Sequence, residues 1–455
     1  MLDLSVVSEQ YSLSARSTVE VSDGSESATN IAAFTVPRFQ RSDMQTGYER
    51  GETGSCVSHI ECRSCGETYD LSLTAFPCGN CGGILDPQYD YDALDVGPED
   101  WADRSGSMWK YRELLPVRDG GDIVSMGEGT TPLVEYPRLA DGMDVGRLLL
   151  KDEGQNPTNT FKDRGQAAAI SMASEQGIGT VALPSAGNAG QSASAYAARA
   201  GMDCHVFLNH QAGAVKKALV QAHGASLHLC EGKIDDAGAA FRAARDEHGW
   251  YSVATFETPF RHEGKKTMGF EVFEAFDWST PDHIVYPTGG GVGLVGIWKA
   301  YRELREVGWL DGDPPALHVA QTTGAPPVVE AIQEGRREHA PWEDPETIAR
   351  GVEIPDPGAS PWMLEAVFES GGEGVAVSDE EAYEAVLDAA RQGGVEMCVT
   401  SAVALAGAKK LAVEGAFGPD DDVVVINTGG GCKTAGKIGE YVERSERQGD
   451  DSAGK

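Results

Sequence analysis

Thr180-Val181-Ala182-Leu183-Pro184-Ser185-Ala186-Gly187-Asn188-Ala189-Gly190-Gln191 carries a strand, a turn and the start of a helix in immediate succession. The uninterrupted apolar run reads as a short buried strand, and the Ser-Ala-Gly-Asn segment as a turn. The Ala-rich stretch from Gln191 to Ala200 reads as a helix ended by Gly201. A strand buried on both faces and followed at once by a helix is the unit of a parallel sheet, because the helix carries the chain back to begin the next strand.

The same unit recurs outward from there. Cys204-His205-Val206-Phe207-Leu208 is the next strand, followed by a helix through His223 and the strand Ser226-Leu227-His228-Leu229. His283-Ile284-Val285-Tyr286, Leu317-His318-Val319-Ala320 and Val423-Val424-Val425-Ile426 are further strands. Leu294 to Val307 shows apolar residues at helical spacing, and the Gly/Pro-rich stretch from Gly351 to Pro361 reads as a loop. This alternation predicts an α/β fold with mostly parallel sheets.

Three turns in that framework are candidate ligand sites. Ser185-Ala186-Gly187-Asn188-Ala189-Gly190 follows a strand and opens a helix, so its backbone amides suit a carboxylate or phosphate. Thr288-Gly289-Gly290-Gly291-Val292-Gly293 has the same setting, and Thr428-Gly429-Gly430-Gly431 ends the last long strand. A dinucleotide fold fits poorly, since Val319-Ala320 is followed by Gln321 rather than an acid. A phosphate loop at Gly431-Cys432-Lys433-Thr434 fails because Cys432 stands where a glycine is required.

Lys162, within Asn156-Pro157-Thr158-Asn159-Thr160-Phe161-Lys162-Asp163-Arg164-Gly165, is the candidate nucleophile. Asn159 or Thr160 is expected to cap the following helix, which puts Lys162 in its first turn. The exposed amides there, with burial behind Phe161, would lower the amine's pKa. A solvated ion pair with Asp163 is the competing reading.

Cys62-x2-Cys65, twelve residues, then Cys78-x2-Cys81 has the spacing of a tetrahedral zinc site, closed by four thiolates and therefore structural. Residues 1–55 read as a disordered tail, 56–92 as a zinc ribbon, 93–440 as the catalytic domain and 441–455 as a second disordered tail. The chain has 455 residues, 41% of them apolar, with no run of the ~18 needed to span a membrane and no secretory signal at its start, so it reads as cytoplasmic. The formal charge of −34 argues against nucleic acid and anionic membranes as partners and suggests adaptation to a salty cytoplasm.

A nucleophilic lysine, a phosphate cradle and polar contacts for a ring are the parts a pyridoxal phosphate enzyme needs. The chain resembles the threonine synthase family of fold-type II pyridoxal phosphate enzymes from about Cys62 to Lys437. The matching blocks are Cys62-to-Cys81, Gly127-Glu128-Gly129-Thr130-Thr131-Pro132-Leu133, Asn156-Pro157-Thr158, Phe161-to-Gly165, Ser185-to-Gly190, Thr258-to-Thr267 and Thr288-to-Gly293. The resemblance implies two parallel-sheet subdomains, the smaller roughly 176–258, and a homodimer. It implies that Lys162 bonds the cofactor and serves as acid and base, and that Asn188 contacts the ring hydroxyl oxygen. Gly289, Gly290, Gly291, Val292 and Gly293 would hold the cofactor phosphate, and Thr428 the pyridine nitrogen. Ser185 with the amides of Gly187 and Asn188 would take the substrate carboxylate, and Arg261 the substrate phosphate. The implied reaction turns the small amino-acid substrate O-phosphohomoserine, with water, into threonine and phosphate.

The chain departs from the family pattern at Asn159-Thr160, at Ala186 and in Gly430-Gly431-Cys432-Lys433-Thr434. Those positions leave open a β-replacement like that of cysteate synthase, or a β-eliminating dehydratase. A zinc-ribbon binding protein with an inactive α/β domain is the alternative of another class.

Overall fold

The computed structural model describes residues 51, 53–232 and 234–453. The disorder expected for residues 1–50 and 52 falls outside that set. Within it, order begins before residue 56: the Thr53 amide donates to Arg118 O at 3.0 Å, and its hydroxyl to Val117 O at 2.7 Å.

The first strands, β1 (Val57–Cys62), β2 (Thr68–Tyr69) and β3 (Leu85–Tyr89), form a small antiparallel sheet in the order β2-β1-β3. Its turns bring the four paired cysteines to one end. The chain then lays down β4 (Leu133–Glu135) and β5 (Arg147–Asp152) before leaving to build a second sheet. That sheet comprises β6 (Thr180–Pro184), β7 (Asp203–Asn209), β8 (Ser226–Cys230) and β9 (Tyr251–Ser252), all parallel in the order β8-β7-β6-β9.

Finally β10 (His283–Pro287), β11 (Ala316–Thr322), β12 (Gly374–Val377) and β13 (Asp422–Asn427) join β4 and β5. The resulting six-stranded sheet runs β12-β11-β10-β13-β5-β4 and is parallel except for the edge strand β4. Ile284, Val285 and Val423 to Ile426 are fully buried, as strands covered by helices on both faces must be. Two parallel sheets with intervening helices match the expected α/β class.

Three helices pack closely on one another: Lys162–Glu175, Phe260–Ala275 and Val292–Glu306. A side chain at Gly264 would strike Arg164 O, and one at Gly296 would lie 2.9 Å from Lys265 C. Phe260 to Phe273 are therefore all buried, charged residues included.

Two boundaries differ from expectation. Ser360–Ser370 is helical, so the loop beginning at Gly351 ends before Pro361, which sits in that helix's first turn. Helix Ala435–Ala453 runs through the segment expected to be a disordered tail from 441. Tyr441 anchors it, 7% exposed, stacked on Tyr383 at 4.3 Å and donating to Glu380 at 2.9 Å. No helix among the described residues is long and apolar enough to cross a membrane.

Candidate active site

Lys162 is the first residue of its helix, as expected, but neither proposed cap performs that role. The residue preceding the helix is Phe161, which provides no side-chain cap. Asn159 instead adopts a left-handed backbone with φ of 57°, and Thr160 donates its hydroxyl to Thr428 O at 3.1 Å. The Phe161 amide also donates to Thr428 O, at 3.0 Å. These bonds fasten the start of the Lys162 helix to the turn at the end of β13.

The competing ion pair is absent, because the Asp163 carboxylate is spent elsewhere. It accepts from the Thr158 amide and hydroxyl and from the Ser192 hydroxyl, each at 2.6 Å. Lys162 Nζ lies over the Phe161 ring at 4.4 Å. Burial pulls its pKa down to about 7, and the Arg261 charge adds to the effect. The lowering inferred from sequence therefore occurs, with burial as its leading cause. An amine with that pKa is substantially neutral at neutral pH and can act as nucleophile or base.

Two of the three turns, the first and the third, are tied to this helix or to each other, the third through Thr428 O. Ser192, which binds Asp163, belongs to the helix opened by Asn188, and Lys433, next to the third turn, donates to Gln191 of that helix at 2.8 Å. Ser185 Oγ accepts from the amides of Gly187 and Gly190, both at 2.9 Å. Its own proton stays available to a carboxylate, whereas the Gly187 amide is engaged within the turn. Asn188 Oδ1 is buried without a partner.

In the second turn, side chains at Gly291 and Gly293 would collide with Met363 and Tyr286, so packing demands both glycines. Gly291 also has φ of 72°. Gly290 is different: the nearest atom to an added side chain, at 3.8 Å, belongs to Thr255. Gln321 braces this loop by donating to Thr288 O at 3.2 Å while accepting from Val328 N and Val329 N. Thr428 Oγ1 is 3.1 Å from Ser401 Oγ, a neighbour that sequence reading did not signal.

Arg261 completes the cluster. Its Nη1 donates to Thr255 Oγ1 at 2.8 Å, but Nε and Nη2 are buried without partners. Burial lowers its pKa to about 10. Lys265 lies over Phe161 at 3.6 Å and donates to Phe161 O. Burial depresses its pKa well below normal, reinforced by Lys162 and Arg261. The Arg261 guanidinium, with two unsatisfied donors and the Lys162 and Lys265 amines as neighbours, forms a site for an anion. Lys266, the next residue, instead turns away to Glu263 and Glu303 at 2.6 and 2.9 Å.

At the far end of the small sheet, Cys62, Cys65, Cys78 and Cys81 bring their sulfurs within 4.8 Å of one another. Cys62 to Cys81 is 3.5 Å and Cys65 to Cys78 is 3.8 Å. Such separations are far too long for disulfides and close to the ~3.8 Å edge of a tetrahedron with ~2.3 Å metal–sulfur bonds.

A family model described as pyridoxal-phosphate dependent enzyme matches residues 124–429, which include Lys162 and all three turns. The chain belongs to the pyridoxal-phosphate dependent enzyme family. It is similar to a protein named threonine synthase from Methanocaldococcus jannaschii, with 38% identity over 82% of this chain and 92% of that one. A threonine synthase from Methanosarcina acetivorans is 37% identical over 82% of this chain and 91% of its own length. In fold, the chain is similar to diaminopropionate ammonia lyase from Escherichia coli, with a TM-score of 0.61 and 19% identity over 70% of this chain and 89% of that structure. The residues suit the family's cofactor in kind: an orphaned amide oxygen on Asn188, glycine-lined amides at a helix start and a lysine whose pKa burial pulls down to about 7.

Proposed function

We propose that this chain converts O-phosphohomoserine and water into threonine and phosphate. The observation that carries the reading is Arg261, a buried guanidinium with two unpartnered nitrogens, close enough for its charge to act on Lys162. A planar fork of free donors suits a phosphate bound by the substrate side chain. The curated relatives from the two archaea carry the matching name.

Pyridoxal phosphate, when bound, supplies an electron sink that stabilises negative charge on carbons near the substrate amine. The residues that would hold it are Lys162, Asn188, Gly289, Gly290, Gly291, Val292, Gly293 and Thr428. Lys162, as a free amine, would take the α proton and then the β proton, so that the β C–H electron pair expels phosphate from the γ carbon. It would return protons to the γ and α carbons. Ser185, with the amide of Asn188, holds the substrate carboxylate and fixes the α carbon against that amine. Arg261, supported by Lys265, holds the phosphate and neutralises charge as its bond to the γ carbon breaks. Water then adds at the β carbon.

The test is to assay the cofactor-loaded chain with O-phosphohomoserine and, separately, with phosphoserine plus sulfite. Equal yields of threonine and phosphate from the first, and no product from the second, are expected. Product only from the second would replace this reading with β-replacement.

The cysteine cluster is proposed to hold one structural zinc, since four thiolates leave no coordination position for substrate. Metal analysis should find one zinc per chain, and a chelator should lower the melting temperature. The remainder of the proposal is a cytoplasmic homodimer with an acidic surface suited to salt.

A further inference from the structure

The cysteine-rich sheet grips the two neighbours of Arg261. Phe76, from the loop between β2 and β3, packs edge-on to Phe260 with centroids 6.0 Å apart. Asp86, on β3, lies 2.9 Å from His262 Nε2 and 2.5 Å from Lys299 Nζ. Lys299 also donates to Pro87 O at 2.6 Å and pairs with Glu263 at 2.7 Å. Tyr89, on the same strand, donates to Glu263 at 2.5 Å. Arg63, between Cys62 and Cys65, covers Trp362 at 3.9 Å, and Trp362 meets His262 edge-on at 5.2 Å.

Asp86, His262 and Glu263 have the composition of a metal site, but the Lys299 ammonium occupies the position between the two carboxylates. The cluster is an ionic joint. Every member is buried, so each charge depends on its partner and the joint has little freedom to slide. Arg261 has no comparable ionic anchor: among the described residues its side chain donates only through Nη1, to Thr255 Oγ1 at 2.8 Å and to Val253 O at 3.4 Å. Its direction is therefore set through the backbone between Phe260 and His262.

We propose that the cysteine-rich sheet is a positioning element for phosphate recognition, with Phe76 and Asp86 clamping the helix turn that aims Arg261. The proposal rests on the role assigned to Arg261 above. Arg261 would contact the phosphate, while Phe76 and Asp86 act through it.

The test uses the holoenzyme, with inorganic phosphate as competitive inhibitor of O-phosphohomoserine turnover. Asp86→Asn and Phe76→Leu should each weaken phosphate inhibition and raise KM by roughly tenfold, as expected for a misplaced binding group. Cofactor absorbance should stay unchanged, which a general loss of folding would not permit. In an Arg261→Gln background, neither change should weaken phosphate inhibition further. Asp86→Glu, which keeps the charge, should restore part of the loss. If phosphate inhibition is unchanged in Phe76→Leu, or in a folded Asp86→Asn, while Arg261→Gln weakens it, the clamp is overturned and the role of Arg261 stands. If Arg261→Gln itself has no effect, the underlying reading fails first and the clamp with it.

Discussion

Two buried arginines on adjacent helices, Arg164 and Arg261, show the difference between a charge that holds a fold and one that awaits a ligand. Arg164 donates through all three nitrogens to Glu153, Glu271, Thr131 and Thr267, at 2.6 to 3.1 Å. Lys151 adds a further bond to Glu271 at 2.6 Å. Burial opposes the charge on Arg164, yet the two carboxylates raise its pKa well above the usual value. Arg261 is equally buried and has no carboxylate, so burial alone acts and its pKa falls. A satisfied buried charge is structural, whereas an unsatisfied one beside a reactive amine implies an anion.

The sharpest way to break that contrast is to remove Arg164. Arg164→Met strands two buried carboxylates and should cost about 3–5 kcal/mol of stability, read as a lower urea midpoint or no folded protein. Arg261→Met should do the reverse. It should leave stability unchanged or slightly improved while lowering kcat/KM for O-phosphohomoserine about a hundredfold or more. A fall in stability matching that of Arg164→Met would erase the distinction between the two residues.

Titration sharpens it further. In the cofactor-free protein, Lys162 titrates at about 7, against about 10.4 for a free lysine. Between those values the unfolded chain binds more protons than the folded one, so this amine makes stability rise with pH across the window. Its penalty is complete below about pH 7 and gone above about 10.4. Unfolding free energies from pH 7 to 10 should therefore climb more steeply in the parent than in Lys162→Met. The smallest effect expected is that of salt. With a net charge of −34, the urea midpoint should increase as salt screens repulsion. Equal midpoints with and without salt would remove the proposed adaptation.

The strands were legible where apolar residues run unbroken, as in β6, β10 and β13. β5 was not, because Leu148-Leu149-Leu150 is flanked by Arg147, Lys151 and Asp152, charges that suggest solvent. Lys151 is in fact 1% exposed and paired with Glu271. Phe260–Ala275 misleads in the same way. Arg261, His262, Glu263, Lys265 and Lys266 look like a solvated face, yet all are buried. Several of their partners, Asp86, Lys299 and Glu303, lie far away in the chain, where no local pattern can show them. Lys162 and the glycine turns were legible because strand, turn and helix succeed one another locally. The hydroxyl of Ser401 beside Thr428 and the ionic joint at Asp86 depend on tertiary contact alone.

Borohydride reduction of the cofactor-loaded chain, followed by peptide mapping, tests the central claim most directly. The account predicts a stable pyridoxyl adduct on Lys162 and none on Lys265, although Lys265 is also a depressed amine beside Phe161. An adduct on Lys265, or no adduct at either lysine, would contradict it.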